Sequence, residues 1–292
     1  MSHSAISRPA VEAISKGAAK AGIWLNTGEG GLSPAHLEGG ADLVLQIGTA
    51  NYGVRDASGN LDEAKLAAVA ANEQVCMFEI KLSQGAKPGK GGILPGAKVT
   101  GEIASIRAIA EGEDSISPYR NPAIDSADGG TGAAPASLFD YMGLPLKESL
   151  PLVADILGHH GLRERRRTIA SGKLTNPGQV AWAMCAGADL VASACGYMLA
   201  LGCVQALQCN KNTCPTGITT HDPRLQRGLD VHDKAERVAR YAQRLMKEEE
   251  TIAHSRGVAE PRLLQRKHCR QFMQDGTSIP LDELYAKSAT LP

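Results

Sequence analysis

The sequence predicts an α/β fold built around a parallel sheet, and three observations carry that expectation. Short β-rich runs alternate with longer stretches of helical periodicity, the pattern of repeated βα units. Four of the five strand candidates run straight into glycine-bearing turns. The 292 residues include 32 Gly but only three Phe and two Trp, a composition suited to tight strand-to-helix turns and unlike a coiled coil or a disordered chain.

In chain order, Pro9 to Ala21 reads as a helix and Gly22 to Leu25 as a strand ending in the turn "NTGEGG" (26–31). A second strand, Asp42 to Ile47, leads into "IGTANYG", and a helix follows from Leu61 to Ala71. Val75 to Leu82 is a third strand, leading into "SQGAKPGKGG". Gly101 to Ala110 and Glu148 to His159 have helical patterns, and Thr168 to Ser171 is a strand before "ASGKL". Asn176 ahead of Pro177 supplies an N-cap and a first-turn proline for a helix to Ala186. Asp189 to Ser193 is the fifth strand, followed by a helix from Gly196 to Leu207. After Cys214 the alternation stops. Asp233 to Arg256 reads as a charged helix, and "EPRLLQRKHCRQFM" starts another, so 233–292 is expected to be a helical C-terminal extension of a single domain covering 1–292. Between Glu113 and Gly132 no strand or helix candidate is found, and a loop of that length inside a compact domain points to something absent.

Thirty-one basic and thirty-one acidic residues cancel, so no overall field recruits nucleic acid or an anionic membrane surface. No segment reaches eighteen apolar residues, and the interrupted N-terminus reads as neither signal peptide nor membrane span. Seven cysteines, an odd number in a chain without an export signal, favour reduced thiols and a cytoplasmic setting over a disulfide framework.

Glycine-rich turns at the ends of parallel strands suit anions, because bare backbone amides can approach them there. "DGGTGAAP" (128–135), "ASGKL" (170–174) and "ASACGYML" (192–199) are candidates for phosphate binding, the other reading being that their glycines only make tight turns. Glu29 in "NTGEGG" is placed to orient an amine or imine or to act as an acid or base, or else lies in a solvated turn. Gln84 and Lys87 stand in a glycine-rich, proline-rich loop that reads as ligand-contacting or as a plain connector.

Cys203, Cys209 and Cys214 fall within twelve residues, with five and then four residues between them. Three readings compete: a zinc site completed by His221, buried inert thiols, and an iron-sulfur cluster. Six helical residues turn about 600°, so Cys203 and Cys209 share no helix face, and the backbone must leave helical geometry for the three to converge.

Together with "ISRPAVEAI", "NTGEGG", "KLSQGAKPGKGGILPGAKVT", "ISP", "DGGTGAAP" and "ASGKL", the stretch "ALGCVQALQCNKNTCPTGI" makes the chain similar to the FMN-binding synthase region of glutamate synthase, in particular its stand-alone forms. That resemblance implies a (β/α)8 TIM barrel with FMN at its C-terminal mouth and a 3Fe-4S cluster beside it. It assigns Cys203, Cys209 and Cys214 as cluster ligands and Glu29 and Gln84 to the 2-oxoglutarate and flavin pocket. Ser2 would lie near flavin and substrate, and Gly129, Gly130, Thr131, Gly132, Ser171, Gly172, Lys173 and Gly196 would cradle the FMN. The implied activity converts 2-oxoglutarate and ammonia to 2-iminoglutarate, which takes a hydride from reduced FMN to give L-glutamate. Electrons would come from a separate ferredoxin or NAD(P)H-oxidising subunit, and ammonia free or from a glutaminase subunit.

The chain departs from the family in four places. Neither a glutaminase domain nor a whole first barrel strand is expected within these 292 residues. Between "ISP" and "DGGTGA" only "YRNPAIDSA" stands where two βα units would take on the order of sixty residues, so an incomplete barrel is expected. Cys195 occupies a position where stand-alone relatives carry Arg. Two other readings stay open: a flavin subunit of the methylamine-glutamate N-methyltransferase type, and a non-catalytic remnant serving electron transfer or assembly.

Overall fold

Ser7 caps the first helix, α1 (Arg8–Ala21), accepting the Ala10 amide at 3.4 Å, and Gly22 ends it in the left-handed region at φ 67°. Those caps answer the orphan amides and carbonyls of the helix termini, and only glycine takes the left-handed position without cost. The buried face of α1 carries Ala10, Val11, Ala13, Ile14 and Ala18, each large side chain contributing about 1.5–3 kcal/mol by leaving water. At Gly17 an added Cβ would come within 2.5 Å of Val238, so the helix backbone there packs directly against its neighbour.

The computed structural model describes residues 1–81, 92–117 and 144–286. Among them the chain forms two compact units, one from residues before 118 together with 197–242, the other from 144–196 and 243–286. In the first unit β1 (Leu25–Asn26), β2 (Leu43–Ile47) and β3 (Val75–Ile80) form a parallel sheet in that order. The short helix α2 (Pro34–Leu37) and then α3 (Glu63–Ala70) make the crossovers. Val75, Met77 and Glu79 turn to one face of β3, while Cys76, Phe78 and Ile80 are exposed on the other. A hairpin pairs β4 (Gly92–Leu94) with β5 (Ser115–Ser117), and a 3-10 turn at Gly96–Lys98 leads into α4 (Gly101–Arg107).

The second unit contains α5 (Leu146–His159), the parallel pair β6 (Ile169–Ser171) and β7 (Leu190–Ala192), and α6 (Pro177–Ala186) between them. Asn176 caps α6 through its side chain to the Gln179 amide at 3.0 Å, as the Asn-Pro pair predicts. The chain then returns to the first unit with most of α7 (Cys195–Leu201), α8 (Pro223–Gln226) and the first half of the long α9 (Val231–Ser255), whose second half belongs to the second unit. The chain then forms an antiparallel hairpin, β8 (Arg270–Phe272) with β9 (Ser278–Pro280), and α10 (Leu281–Leu284).

A strand forms at each of the five predicted places, the first only as Leu25–Asn26 where Gly22 to Leu25 is expected. Among the described residues the parallel strands pair within each unit, β1–β2–β3 in the first and β6–β7 in the second. Several expectations are corrected. The segment from Glu113 onward does contain a strand, Ser115–Ser117, whose three residues are too short to carry a pattern but gain partners in β4. The helix from Gly196 stops at Leu201 instead of Leu207, because Gly202 leaves helical space at φ 103°. The C-terminal region is only partly helical. After α9, "EPRLLQRKHCRQFM" makes two 3-10 turns and then a strand, returned by a turn in which Gly276 (φ 83°) follows Asp275. An Asp-Gly pair between β-rich runs is a hairpin signal that the charge-rich surroundings hide.

Candidate cofactor and substrate site

Where α7 ends, the amides of Gly202 and Cys203 close the last turn on the carbonyls of Leu199 and Met198 at 2.9 and 3.0 Å. Residues 203–214 then form no helix or strand, and Gln205, Leu207 and Asn212 all take positive φ, at 54°, 53° and 60°. Such conformations cost non-glycine residues about 1–3 kcal/mol each and persist only where surrounding bonds over-determine them. Asn212 supplies several of those bonds: its Nδ2 donates to the Ala97 carbonyl at 3.1 Å, and its Oδ1 accepts the His221 amide at 2.7 Å. The Thr220 hydroxyl donates to the Asn212 carbonyl at 2.7 Å.

The outcome of that path is that Cys203, Cys209 and Cys214 line one small concavity of ≈ 260 Å³, mouth included, with Met198, Leu207, Thr216 and Ile218 among its other walls. Cys214 is 8 % exposed and packs in the apolar core of the unit with Ile218 and Leu201. The Gln205 amide donates to Cys203 Sγ at 3.4 Å, and Cys214 Sγ meets the Thr216 hydroxyl at 3.3 Å. Burial pushes the Cys214 thiol up, but the hydroxyls and amides of Thr216 and Thr219 outweigh it and bring the pKa down to about 7. The Thr219 hydroxyl is buried without a hydrogen-bond partner, so it lies near the sulfur without the alignment of a bond.

Zinc fits this arrangement poorly. Ligands of one zinc ion must all lie about 2.0–2.3 Å from a point. Among the described residues no three His, Cys, Asp or Glu side chains, these cysteines included, converge on one point in that way, so the three thiols share a concavity without being drawn together around a single ion. His221 Nε2 meets the Ser4 carbonyl at 3.2 Å, and burial holds the ring neutral, its pKa lowered to about 4. Three thiols spread around a concavity, with a buried orphan hydroxyl beside them, suit a multi-atom iron-sulfur centre.

A second group of polar residues gathers at the C-terminal edge of β1–β2–β3. Glu29 lies against Gly48, where a Cβ would come within 2.6 Å of its own, and its Oε2 is 3.8 Å from Lys81 Nζ. Ser2 sits over the same turn, its Oγ 2.6 Å from Ser4 Oγ, where Gly28 and Gly30 leave room for it. Arg107, 5 % exposed, reaches in from α4: one guanidinium nitrogen donates to Ser4 Oγ at 2.5 Å and another to Ser115 Oγ at 3.2 Å. It stacks over Tyr52 at 4.3 Å, and its Nε is buried without a partner. The Tyr52 hydroxyl in turn meets Ser115 Oγ at 2.6 Å. A guanidinium, an ammonium and a carboxylate on one edge can bind and orient a small dicarboxylate.

In the second unit Ser171 pairs with Ala192 at the ends of β6 and β7. Gly172 and Lys173 follow Ser171, Lys173 in the left-handed region at φ 50°, and Gly196 is buried near the start of α7. Ser193 Oγ donates to the Leu174 carbonyl at 2.6 Å, tying the two turns together. Cys195 is exposed. Gln84, Lys87, Gly129, Gly130, Thr131 and Gly132 lie outside the described residues. Of the predicted site residues, then, Ser2 and Glu29 meet in one place, Cys203, Cys209 and Cys214 line another, and Ser171, Gly172, Lys173 and Gly196 belong to the second unit. Sequence reasoning missed Arg107, Tyr52, Lys98, Thr216 and Thr219. Thr216 and Thr219, within five positions of Cys214, are a readable signal, since hydroxyls near a cysteine motif favour thiolates. Arg107 and Lys98 become special only through burial.

Comparisons with known proteins show which sequences the chain is similar to. The family described as the conserved region in glutamate synthase matches residues 1–127 and again 122–259. The glutamate synthase large subunit-like protein YerD of Bacillus subtilis is 36 % identical over 337 residues, covering 97 % of this chain and 64 % of that protein. The archaeal glutamate synthase (NADPH) of Methanocaldococcus jannaschii is 32 % identical over 293 residues, covering 82 % of this chain and 54 % of its own length. The archaeal-type enzyme of Thermotoga maritima is 29 % identical with the same shares. The chain thus spans less than two thirds of these relatives. The 337 aligned positions with YerD exceed the 292 residues of the chain, so that alignment contains positions for which this chain has no residue.

Proposed function

Because the chain belongs to the glutamate synthase family, whose conserved region matches most of its length, we propose that it is a glutamate synthase-type oxidoreductase acting on 2-oxoglutarate. In that reaction an amine nitrogen adds to the C2 carbonyl, water leaves, and a hydride reaching C2 of the imine gives L-glutamate. When bound, FMN supplies the hydride and a 3Fe-4S cluster supplies electrons singly. The residues of this chain do the rest. Arg107 and Lys81 offset the substrate carboxylates, and Glu29 orients the amine and exchanges its protons. Cys203, Cys209 and Cys214 would hold the cluster. Ser2, Ser171, Gly172, Lys173 and Gly196, with Gln84, Gly129, Gly130, Thr131 and Gly132, would hold the flavin on a barrel-type scaffold. Electrons come from a separate ferredoxin or NAD(P)H-oxidising subunit and the amine from free ammonia or a glutaminase partner, in a cytoplasmic setting.

The observation that carries this reading is the shared concavity of the three cysteines beside the partnerless Thr219 hydroxyl. Its test is anaerobic purification with flavin, iron and sulfide quantitation, followed by an assay of glutamate formation from 2-oxoglutarate and ammonia with a chemical reductant. About three irons and one FMN per chain with turnover are expected. One further reading has its own support. The two family matches overlap at 122–127, and the YerD alignment contains positions for which this chain has no residue, which supports a chain whose cysteine loop is whole and whose flavin scaffold is shortened. A stoichiometric cluster without FMN would favour a non-catalytic electron-transfer or assembly module; both cofactors bound would sink that alternative, and zinc alone would defeat both.

A further inference from the structure

Lys98 is among the largest fully buried side chains of the protein, 2 % exposed. Its Nζ donates to the carbonyl of Cys209 at 2.9 Å and to that of Ala5 at 3.0 Å. Among the described residues no carboxylate lies within ion-pair distance of it. Lysine is one of the residues least often buried, and an ammonium taken out of water without a counter-charge costs several kcal/mol. Two carbonyl dipoles orient such a charge but do not neutralise it. The charges nearby that favour the ammonium are the sulfurs of Cys209 and Cys214. The contact joins residues 111 positions apart in the chain, so it exists only through the fold.

We infer that Lys98 is the counter-charge of the cysteine loop: its ammonium fixes the backbone at Cys209 and offsets the negative charge of a centre held by Cys203, Cys209 and Cys214. The inference rests on reading these thiols as cluster ligands. Three thiolates make any cluster there anionic, and one-electron reduction adds a further negative charge. A fixed cation at the loop therefore stabilises the reduced form more than the oxidised form and raises the reduction potential. A lysine that served packing alone would leave that potential where it is.

The experiment compares the full chain with Lys98→Met, Lys98→Gln and Lys98→Arg after anaerobic reconstitution with iron and sulfide. Readouts are iron and sulfide content, circular dichroism of the iron-free chains, and the one-electron potential of the centre by electron paramagnetic resonance titration. In the neutral variants the oxidised-to-reduced ratio at fixed potential is expected to rise at least tenfold, a fall of 59 mV for one electron, and in Lys98→Arg to stay within about threefold. Folded neutral variants with the wild-type potential would overturn the inference. If neither neutral variant folds, acetyl-lysine installed at position 98, which keeps the aliphatic stem and removes the charge, decides: a rise in the ratio of threefold or more supports the inference and a smaller change overturns it. A wild-type chain that binds no iron defeats the cluster reading itself, which is distinct from a wild-type cluster indifferent to Lys98.

Discussion

The cysteine loop and the strand-end turn bearing Glu29 lie in the same unit and are held in different ways. The turn is set by the ladder: Leu25 and Asn26 register with Leu43 and Val44, and the Thr27 amide continues onto the Val44 carbonyl at 3.0 Å. The loop has no ladder. It is pinned by individual bonds from distant elements, Asn212 to Ala97 and Lys98 to Cys209, and it tolerates three left-handed non-glycine residues. Repeated backbone pairing distributes the work, so one side chain matters little to the turn, whereas each pin of the loop stands alone.

The largest effect that would break this contrast is on the thiols. Cys209→Ala is expected to abolish iron binding, since three ligands leave no spare, while flavin content is unchanged; iron analysis and the flavin absorbance check both. Next comes Asn212→Ala, which loses the side-chain hydrogen bonds to the Ala97 carbonyl, the His221 amide and the Thr220 hydroxyl (3.2 Å to Oδ1) and puts alanine at φ 60°. It is expected to lower stability by about 2–4 kcal/mol, read as the urea midpoint of the iron-free chain. Asn212→Gly, which accepts the backbone angle, is expected to recover roughly half of that loss.

Acid should weaken the same region. His3 and His221 are buried near each other, ring centroids 6.0 Å apart, and burial lowers the pKa of each to about 4 from the usual 6.5. The charge of Arg8 lowers His3 further, and those of Lys98 and His3 lower His221. The unfolded chain therefore binds protons first as pH falls. Their contribution to stability is full above pH 6.5 and is lost down to about pH 4, at on the order of 1 kcal/mol per pH unit for each histidine. Urea midpoints from pH 7.5 to 4.5 measure this, and His221→Gln should flatten the slope. The smallest effect belongs to the turn. Gly48→Ala would set a methyl 2.6 Å from Glu29 Cβ, an atom fixed to the backbone, so the turn itself must shift: kcat/KM for 2-oxoglutarate is expected to fall about tenfold, with a small drop in the urea midpoint.

Much of the fold was legible. Short β-rich runs, four of the five leading straight into glycine-bearing turns, pointed to the parallel strands, and the Asn176-Pro177 pair marked the start of α6 to the residue. The misses share a cause: β5, β8 and β9 are three-residue strands whose partners, not their own pattern, make them strands. The end of α7 was missed because Gly202 reads as one small residue among several, and only the left-handed backbone there shows that it stops the helix. At the site, the cysteine spacing and the "NTGEGG" carboxylate stood out from the sequence, since reactive residue types at short spacing are local information.

Arg107 and Lys98 did not stand out, because a lysine or arginine in the sequence is by default a solvated surface residue. Burial changes what each one does, and burial is a property of what folds over them: Ser4, Tyr52 and Ser115 for Arg107, and Ala5 and Cys209 for Lys98. Residue chemistry and the local period of the chain are written in order along it, so the family, the strands and the three thiols could be read before any coordinates. Which charges lose their water, and which thiols they then face, depends on contacts between residues about a hundred positions apart, and the fold alone decides those.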